Sequence, residues 1–245
     1  MKQLIALLAI FSLNIASAQI SFGSKKIQFS TKSIEQLEAP PEFKSFAEAT
    51  QWADLVAIAQ VRSMEYDQVR SLNSKGYAFL NILIPYKGSE KDEPIAVLAT
   101  GFDDNVCYFP DGDNEGERYL VFLKKAPDQE SNVYYGFKPY CQMQILLSEM
   151  GQYMLRTPLD TSSIKIDESL VVEEKFRDSH AMLDSTLWTN VSREEYASKF
   201  KCKIIQTEDD INKFFHLRYT QGVPIYNIRP LLQLEYKAKI SSKQI

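Results

Sequence analysis

The chain has 245 residues, of which 44% are hydrophobic and 24% are charged, and its formal net charge is -4 at pH 7. This is the composition of an ordinary globular protein, and the length suits one large domain or one domain with a substantial extension. Charges of both signs are mixed along the sequence without a basic block, so neither nucleic acid nor an anionic membrane surface is an expected partner.

The N-terminus has the layout of a secretory signal peptide, residues 1 to 18. Lys2 gives a short charged start, an apolar run follows from Leu4, and a small-residue cleavage site ends at Ala18. The apolar run is shorter than the roughly 20 residues that a spanning helix needs, and no later stretch is long enough, so no stable membrane insertion is expected. The mature protein is therefore predicted to begin at Gln19 and to be secreted or periplasmic.

An arm and a short helix are predicted next. Residues 19 to 42 are polar, contain Pro40 and Pro41, and are interpreted as a mobile or strand-swapping N-terminal arm. Ser45 and Glu48 then have the spacing of a capping box, which predicts a helix that runs to Trp52.

Five strands are predicted within residues 43 to 145. The first three are the segments ADLVAIAQV, GYAFLNILIPYKG and EPIAVLAT, the fourth is RYLVFL, and the fifth is NVYYGFKPYC. Pro85 near the end of the second strand predicts an edge position or a bulge, because proline cannot donate to a strand ladder. Strands with turn signals between them and hardly any helix favour a small closed or half-closed barrel.

Residues 146 to 245 follow a different pattern and are interpreted as a C-terminal α+β extension. The segment QMQILLSEMGQYMLRTP is predicted to be a hairpin that turns at Gly151. Helix start signals, SREE and TEDD, predict helices over residues 192 to 200 and 207 to 219. The tail VPIYNIRPLLQLEYKAKI fits a strand or a short helix, and the alternation in its second half favours a strand.

The segment DGDNEGE between the third and fourth strands resembles the start of an EF-hand loop. Asp111, Asp113 and Glu115 would supply oxygen ligands and Gly116 the sharp turn, but the twelfth position is Phe122. No helix pattern precedes the segment either. An acidic turn that leads into a buried strand is predicted instead, with weak calcium binding of another geometry as the minor alternative.

The remaining chemistry depends on two histidines and three cysteines. His180, expected to be exposed, and His216, expected to be a partly buried residue on a helix, lack the spacing of a metal site, so no metal or cofactor is predicted. In an oxidising compartment two of Cys107, Cys141 and Cys202 should pair, and spacing alone leaves all three pairings open. A nucleophilic Cys202 near His216 is neither suggested nor forbidden, and no G-x-S-x-G motif occurs.

The order of several short segments resembles one family. These segments are FAEATQWADLVAIAQV, YKG, VLAT, Cys107 followed by GERYLVFL, and finally Cys141. In this order they resemble the netrin-like modules, the family of the tissue inhibitors of metalloproteinases, over roughly residues 43 to 145. The resemblance implies a mainly β protein with a five-stranded, OB-like Greek-key barrel. It also implies a Cys107–Cys141 disulfide, contributing on the order of 3 kcal/mol, and leaves Cys202 unpaired.

Inhibitory members of this family chelate the zinc of a protease through an N-terminal cysteine. The predicted mature chain begins with Gln19 instead, so inhibition by chelation is not expected. The function predicted is a non-enzymatic binding module that engages an extracytoplasmic protein or glycan at the cell envelope. The alternatives are a protease inhibitor that inserts a loop, and a hydrolase with a site between barrel and extension.

The candidate ligand-binding residues are the aromatic residues of the fifth strand. OB barrels bind ligands on one sheet face and its loops, and exposed aromatic residues there would form such a face. The residues concerned are Tyr134, Tyr135, Phe137 and Tyr140. The alternative is that alternate members fill the barrel.

Overall fold

The structure is a computed structural model, and only part of the chain is described in it. The described residues are 37 to 69, 72 to 100, 106, 107, 109, 116 to 127, 132 to 157, 164 to 186, 192 to 205 and 214 to 235. The predicted signal peptide, most of the N-terminal arm and most of the acidic turn lie outside these ranges. Within them, no helix is both long and apolar enough to cross a bilayer.

The described ranges form a mainly β fold. The helices are α1 (Phe46–Trp52), α2 (Arg193–Phe200) and α3 (Ile225–Leu231). The first strands are β1 (Leu55–Val69), β2 (Leu72–Lys87), β3 (Pro94–Thr100), β4 (Arg118–Lys125) and β5 (Val133–Tyr135). The later strands are β6 (Met143–Leu147), β7 (Tyr153–Arg156), β8 (Val172–Glu173), β9 (Met182–Thr186), β10 (Cys202–Ile205), β11 (Phe214–Tyr219) and β12 (Gln221–Pro224). Two short 3-10 turns cover Glu168–Leu170 and Ser179–Ala181.

Strands β1 to β5 form a closed barrel. β1 pairs antiparallel with β2 along one edge and with β4 along the other. β2 pairs with β3, β3 runs parallel to β5, and β5 pairs antiparallel with β4. The resulting order, β1-β2-β3-β5-β4 closing on β1, is that of a five-stranded Greek-key OB barrel. The predicted fold class is therefore confirmed.

The first two strands are longer than predicted. The pairing of β1 with β4 ends at Gln60, whereas its pairing with β2 continues to Val69. The two strands therefore continue as a hairpin past the point where β4 stops pairing with β1. The register also shifts where Ala57 pairs with Pro85, so the bulge predicted at this proline is present.

The predicted fifth strand is only partly a strand. β5 ends at Tyr135, and the chain then turns over residues 138 to 141. β6 follows and pairs with the first residues of β4, so β5 and β6 share one edge of that strand.

Alternation along the strands separates the barrel interior from a second core outside it. Inward-facing residues of β1 and β4 fill the barrel: Leu55, Ala57, Ala59, Val61, Tyr119, Val121 and Leu123. Because neighbouring residues of a strand face opposite sides, the residues between them point outward. Val56, Ile58, Leu120 and Phe122 pack there against α1, β7 and α3.

The extension continues the barrel sheet and adds a smaller one. β6, β7, β12 and β8 follow β4 in that order, and the β6–β7 hairpin turns at Gly151, as predicted. β10, β11 and β9 form a separate three-stranded sheet. Leu146, Met154 and Tyr219 share one buried cluster, which joins the two sheets.

The helix starts predicted from capping signals differ in outcome. At α1, Ser45 Oγ accepts a hydrogen bond from the Glu48 amide at 3.2 Å, and at α2 Ser192 Oγ accepts one from the Glu195 amide at 3.2 Å. The helix predicted over residues 207 to 219 is wrong in its described part, which is the central strand β11.

The tail also differs from the favoured prediction. The first two residues of this tail, Val223 and Pro224, end strand β12, residues 225 to 231 form helix α3, and residues 232 to 235 form no strand. The strand favoured for the second half of the tail is therefore absent up to residue 235, and residues 236 to 240 lie outside the described residues. Ile228 and Leu231 of α3 are buried against the outward face of the barrel. This contact with distant strands selects the helix over the strand.

Candidate functional site

The four aromatic residues predicted to form a ligand-binding face are buried. Tyr134, Tyr135, Phe137 and Tyr140 expose 3%, 3%, 8% and 5% of their surface. They are also divided among three clusters, with Tyr134 inside the barrel and Tyr140 near α1. The predicted exposure was wrong, because Tyr134 fills the barrel, Tyr135 and Phe137 belong to a buried cluster outside it, and Tyr140 packs against Phe43.

Tyr135 and Phe137 belong to a larger apolar surface on the outside of β2, β3 and β5, which we call the outer face. Strand register places Phe79 beside Ala96, and Tyr77 beside Leu98, on this side. This is the side that OB barrels use for ligands. The buried members of the outer face are Tyr77, Ala96, Leu98, Val106, Ala126, Val133, Tyr135 and Phe137, with Phe79 partly buried against them.

A segment ahead of α1 lies against the outer face. We call residues 37 to 42, with the sequence LEAPPE, the strap. Leu37 packs against the apolar cluster, and Glu38 Oε2 lies 2.8 Å from Lys124 Nζ. The backbone of Glu38 also hydrogen-bonds to the hydroxyl of Tyr135. The strap is therefore held by one apolar, one ionic and one backbone contact.

Lys124 and Trp52 form the polar rim of the outer face. Lys124 Nζ lies 5.3 Å from the centre of the Trp52 ring. The hydrogen bond that Lys124 donates to Glu38 raises the pKa of Lys124, because a carboxylate partner favours the ammonium form more than partial burial opposes it. Trp52 Nε1 is buried and has no hydrogen-bond partner among the described residues. A buried indole N–H usually has a partner, so this rim holds an unused donor.

The residues that carry the family resemblance have structural roles where α1 meets β1. Asp54 Oδ2 accepts a hydrogen bond from the Lys125 amide at 2.9 Å and ties the start of β1 to the end of β4. Gly88 has φ 75°, and a Cβ there would collide with the backbone carbonyl of Asp54. Only glycine fits both constraints.

Cys107 and Cys141 form the disulfide that the resemblance implied. Their Cα atoms are 6.0 Å apart, and 34 residues separate them in sequence. Gly136 lies against the bridge, since a Cβ there would come within 2.9 Å of Cys107 Sγ and 2.8 Å of Leu123 Cδ2. The bridge therefore joins the segment after β3 to the turn after β5 inside the barrel.

Both described ends of the acidic turn are attached to β1. The amide of Phe109 donates to the hydroxyl of Tyr66 at 3.2 Å, and the amide of Gly116 donates to the carbonyl of Val61 at 2.9 Å. The candidate calcium ligands at positions 111, 113 and 115 lie outside the described residues.

Cys202 is unpaired and lacks the features of a nucleophile. Its thiol donates to the carbonyl of Phe200 at 3.2 Å, and burial raises its pKa to about 12. His216 pairs with Ile205 of β10. Cys202 lies three residues before Ile205, so its side chain faces the opposite side of the sheet. The structure does not bring Cys202 and His216 together.

A hydrogen-bonded group that the sequence did not indicate lies where the barrel meets the extension. We call Glu117, Gln144 and His180 the polar junction. Gln144 Nε2 lies 3.0 Å from Glu117 Oε2 and 2.7 Å from His180 Nδ1, and the carboxylate and imidazole are 3.2 Å apart. Arg156 donates to the carbonyl of His180 at 3.1 Å. His180, with 34% of its side chain exposed, is thus partly buried, contrary to the expectation that it is simply exposed.

The polar junction has one chemically useful element. Glu117 lies beside Nδ1 of His180, and a carboxylate at this nitrogen orients a histidine general base, although the Gln144 amide is closer to the same nitrogen. Across the described part of the chain, no three His, Cys, Asp or Glu side chains are grouped to hold a metal ion. Comparisons with protein-family models, with curated proteins and with solved structures find no match to this chain.

Proposed function

We propose that this chain is a netrin-like OB module that acts outside the cytoplasm as a non-enzymatic binding protein for a protein or glycan of the cell envelope. The outer face is the observation that carries the proposal. It is an apolar and aromatic surface on the side of the barrel that OB folds use for ligands. A short segment of the chain already lies against it, next to a buried donor that no described residue uses.

Two features support the location outside the cytoplasm. The N-terminal residues have the pattern of a secretory signal peptide. The Cys107–Cys141 bridge is fully buried in the barrel, and structural disulfides persist mainly in oxidising compartments.

The netrin-like assignment is supported by the strand order and by the placement of the residues that resemble the family. Lys87 and Gly88 of the YKG segment meet the end of α1 and the start of β1, and the two cysteines are bonded. A protease inhibitor that inserts a loop is an alternative to this binding function. Its target would be identified by the same capture experiment.

Site-specific photocrosslinking in extracytoplasmic extracts tests the proposal. A photoreactive phenylalanine analogue replaces Phe79 at the edge of the outer face, and in a matched control it replaces Ile204, which is exposed on β10. We expect a partner that is captured from position 79 and not from position 204. Capture of nothing, or of the same proteins from both positions, would contradict the proposal. A glycan array probed with the same full chain distinguishes a glycan ligand from a protein.

The polar junction favours a second candidate, a hydrolase whose site lies between barrel and extension. The Glu117–His180 contact of 3.2 Å is the supporting observation. A panel of chromogenic ester, peptide and glycoside substrates tests it, with His180→Asn and the control His216→Asn. Turnover that disappears in His180→Asn and persists in His216→Asn would replace the binding proposal with the hydrolase.

A further inference from the structure

We infer that the outer face binds an extended polypeptide in which an apolar side chain is followed by a carboxylate, and that the strap occupies this site in the free chain. The inference rests on the proposed function and specifies its site and its partner. The strap shows what the site accepts, because its contacts are those that a partner would have to replace.

The apolar requirement comes from Leu37. This side chain packs against the cluster that contains Tyr77 and Leu98, which are 5% and 2% exposed. An aliphatic side chain therefore contributes to removing this apolar surface from water. A partner that displaces the strap must supply an equivalent side chain.

The carboxylate requirement comes from Lys124. Its ammonium group lies between Glu38 and the Trp52 ring, at 2.8 Å and 5.3 Å. The Glu38 side chain is 67% exposed, and exposed ion pairs are weak. The carboxylate of a competing segment can therefore take its place.

The extended backbone follows from the prolines. Pro40 and Pro41 follow Glu38 closely, and adjacent prolines hold a backbone in an extended conformation without ladder pairing. Aromatic-lined surfaces bind such segments in other domains.

Occupation by the strap lowers the apparent affinity for a partner, because only the fraction of molecules with a free site can bind. Loosening the strap should therefore strengthen binding of the same sequence offered from outside. The test uses the full chain with Leu37→Ala and Glu38→Ala together. The probe is a fluorescein-labelled peptide with the sequence LEAPPE.

Fluorescence anisotropy measures the dissociation constant of the peptide for the wild type and for the double variant. We expect the double variant to bind at least about tenfold more tightly. Thermal unfolding and near-UV circular dichroism establish that the variant is folded. A folded double variant that binds no more tightly than the wild type would overturn the inference.

A charge exchange tests the role of Lys124. A second peptide carries lysine in place of its first glutamate and should bind the double variant about threefold to tenfold more weakly, since it meets another ammonium group. Adding Lys124→Glu to the double variant should reverse this preference. Equal binding of both peptides would show that the site does not recognise a carboxylate, which contradicts the inference.

Three outcomes separate this inference from the proposed function. If position 79 captures a partner that the LEAPPE peptide does not displace, the polypeptide inference fails and the binding function stands. If the peptide binds as expected but no envelope partner is captured, the site stands and the proposed function fails. In the third outcome, the wild type forms a dimer and the double variant with Leu37→Ala and Glu38→Ala does not. The occupant of the site would then be a second copy of this chain, and the inference of a foreign partner would be wrong.

Discussion

The ammonium nitrogen of Lys87 lies 2.5 Å from the carbonyl oxygen of Ala53. The same group donates to the carbonyls of Thr50 at 2.8 Å and Gln51 at 3.3 Å. These acceptors lie at the C-terminal end of α1, where carbonyl groups have no partner within the helix and carry partial negative charge. One side chain at the end of β2 therefore attaches the helix to the barrel.

Replacing Lys87 with methionine (K87M) tests this attachment. The apolar stem is largely kept, but the carbonyl oxygens lose their donor, so we expect the free energy of unfolding to fall by about 1 to 3 kcal/mol. Urea unfolding followed by circular dichroism measures it. K91M is the control, because Lys91 is exposed in the turn after β2 and should change stability by less than about 0.5 kcal/mol. Equal losses in the two variants would contradict the role of Lys87.

Removing the disulfide should destabilise the barrel. In C107S with C141S, the 34-residue separation between the bonded positions predicts a loss of about 3 to 4 kcal/mol, because the unfolded chain gains conformational freedom. Urea unfolding with and without reductant measures the loss. C202S is the matched control. Because Cys202 is not part of the disulfide, reductant should lower the stability of C202S as much as it lowers that of the wild type. An unfolding midpoint that reductant leaves unchanged in the wild type would refute this prediction.

The Cys202 thiol should react slowly while the chain is folded. Burial raises its pKa to about 12, so the reactive thiolate is scarce at pH 8 and becomes abundant only at strongly alkaline pH. We expect alkylation by iodoacetamide, followed by mass spectrometry, to be at least about tenfold slower than in the urea-unfolded chain. Comparable rates in both states would show that the thiol is not protected.

The polar junction should hold the extension against the barrel. Gln144 is 6% exposed and contacts both Glu117 and His180, so Gln144→Leu leaves these two groups without that donor. We expect the free energy of unfolding to fall by about 1 to 3 kcal/mol. Hydrogen exchange in the 3-10 turn Ser179–Ala181 should become faster than in the wild type, and the increase should be larger there than in β1. The comparison variant is Gln152→Leu in the β6–β7 turn, where the side chain is exposed. Unchanged exchange in the 3-10 turn would contradict this role.

Features that depend on a few neighbouring residues were predictable from the sequence. The capping serines at Ser45 and Ser192, the turn at Gly151 and the bulge at Pro85 all occur where they were predicted. Each rests on a hydrogen bond, a proline or a backbone angle within a short segment, and such local preferences persist when the chain folds.

Strand β11 shows where local signals were not sufficient. The TEDD signal before it favoured a helix, but β9 and β10 pair with both of its edges. Leu217 and Tyr219 are buried and Arg218 between them is exposed, so the alternation of a strand was present in the sequence.

Long-range packing decided which surfaces and groups come together. Tyr135 was predicted from the sequence to be an exposed aromatic residue. In the structure it is buried in a cluster against which Leu37, almost a hundred positions earlier in the chain, also packs. Glu117 precedes β4, Gln144 lies in β6 and His180 lies in a 3-10 turn. The pairing of β6 with β4 brings the first two together, and Gln144 also contacts His180. Short segments therefore specify where strands and helices begin and turn, whereas contacts between distant residues determine which side chains are buried and which form a site.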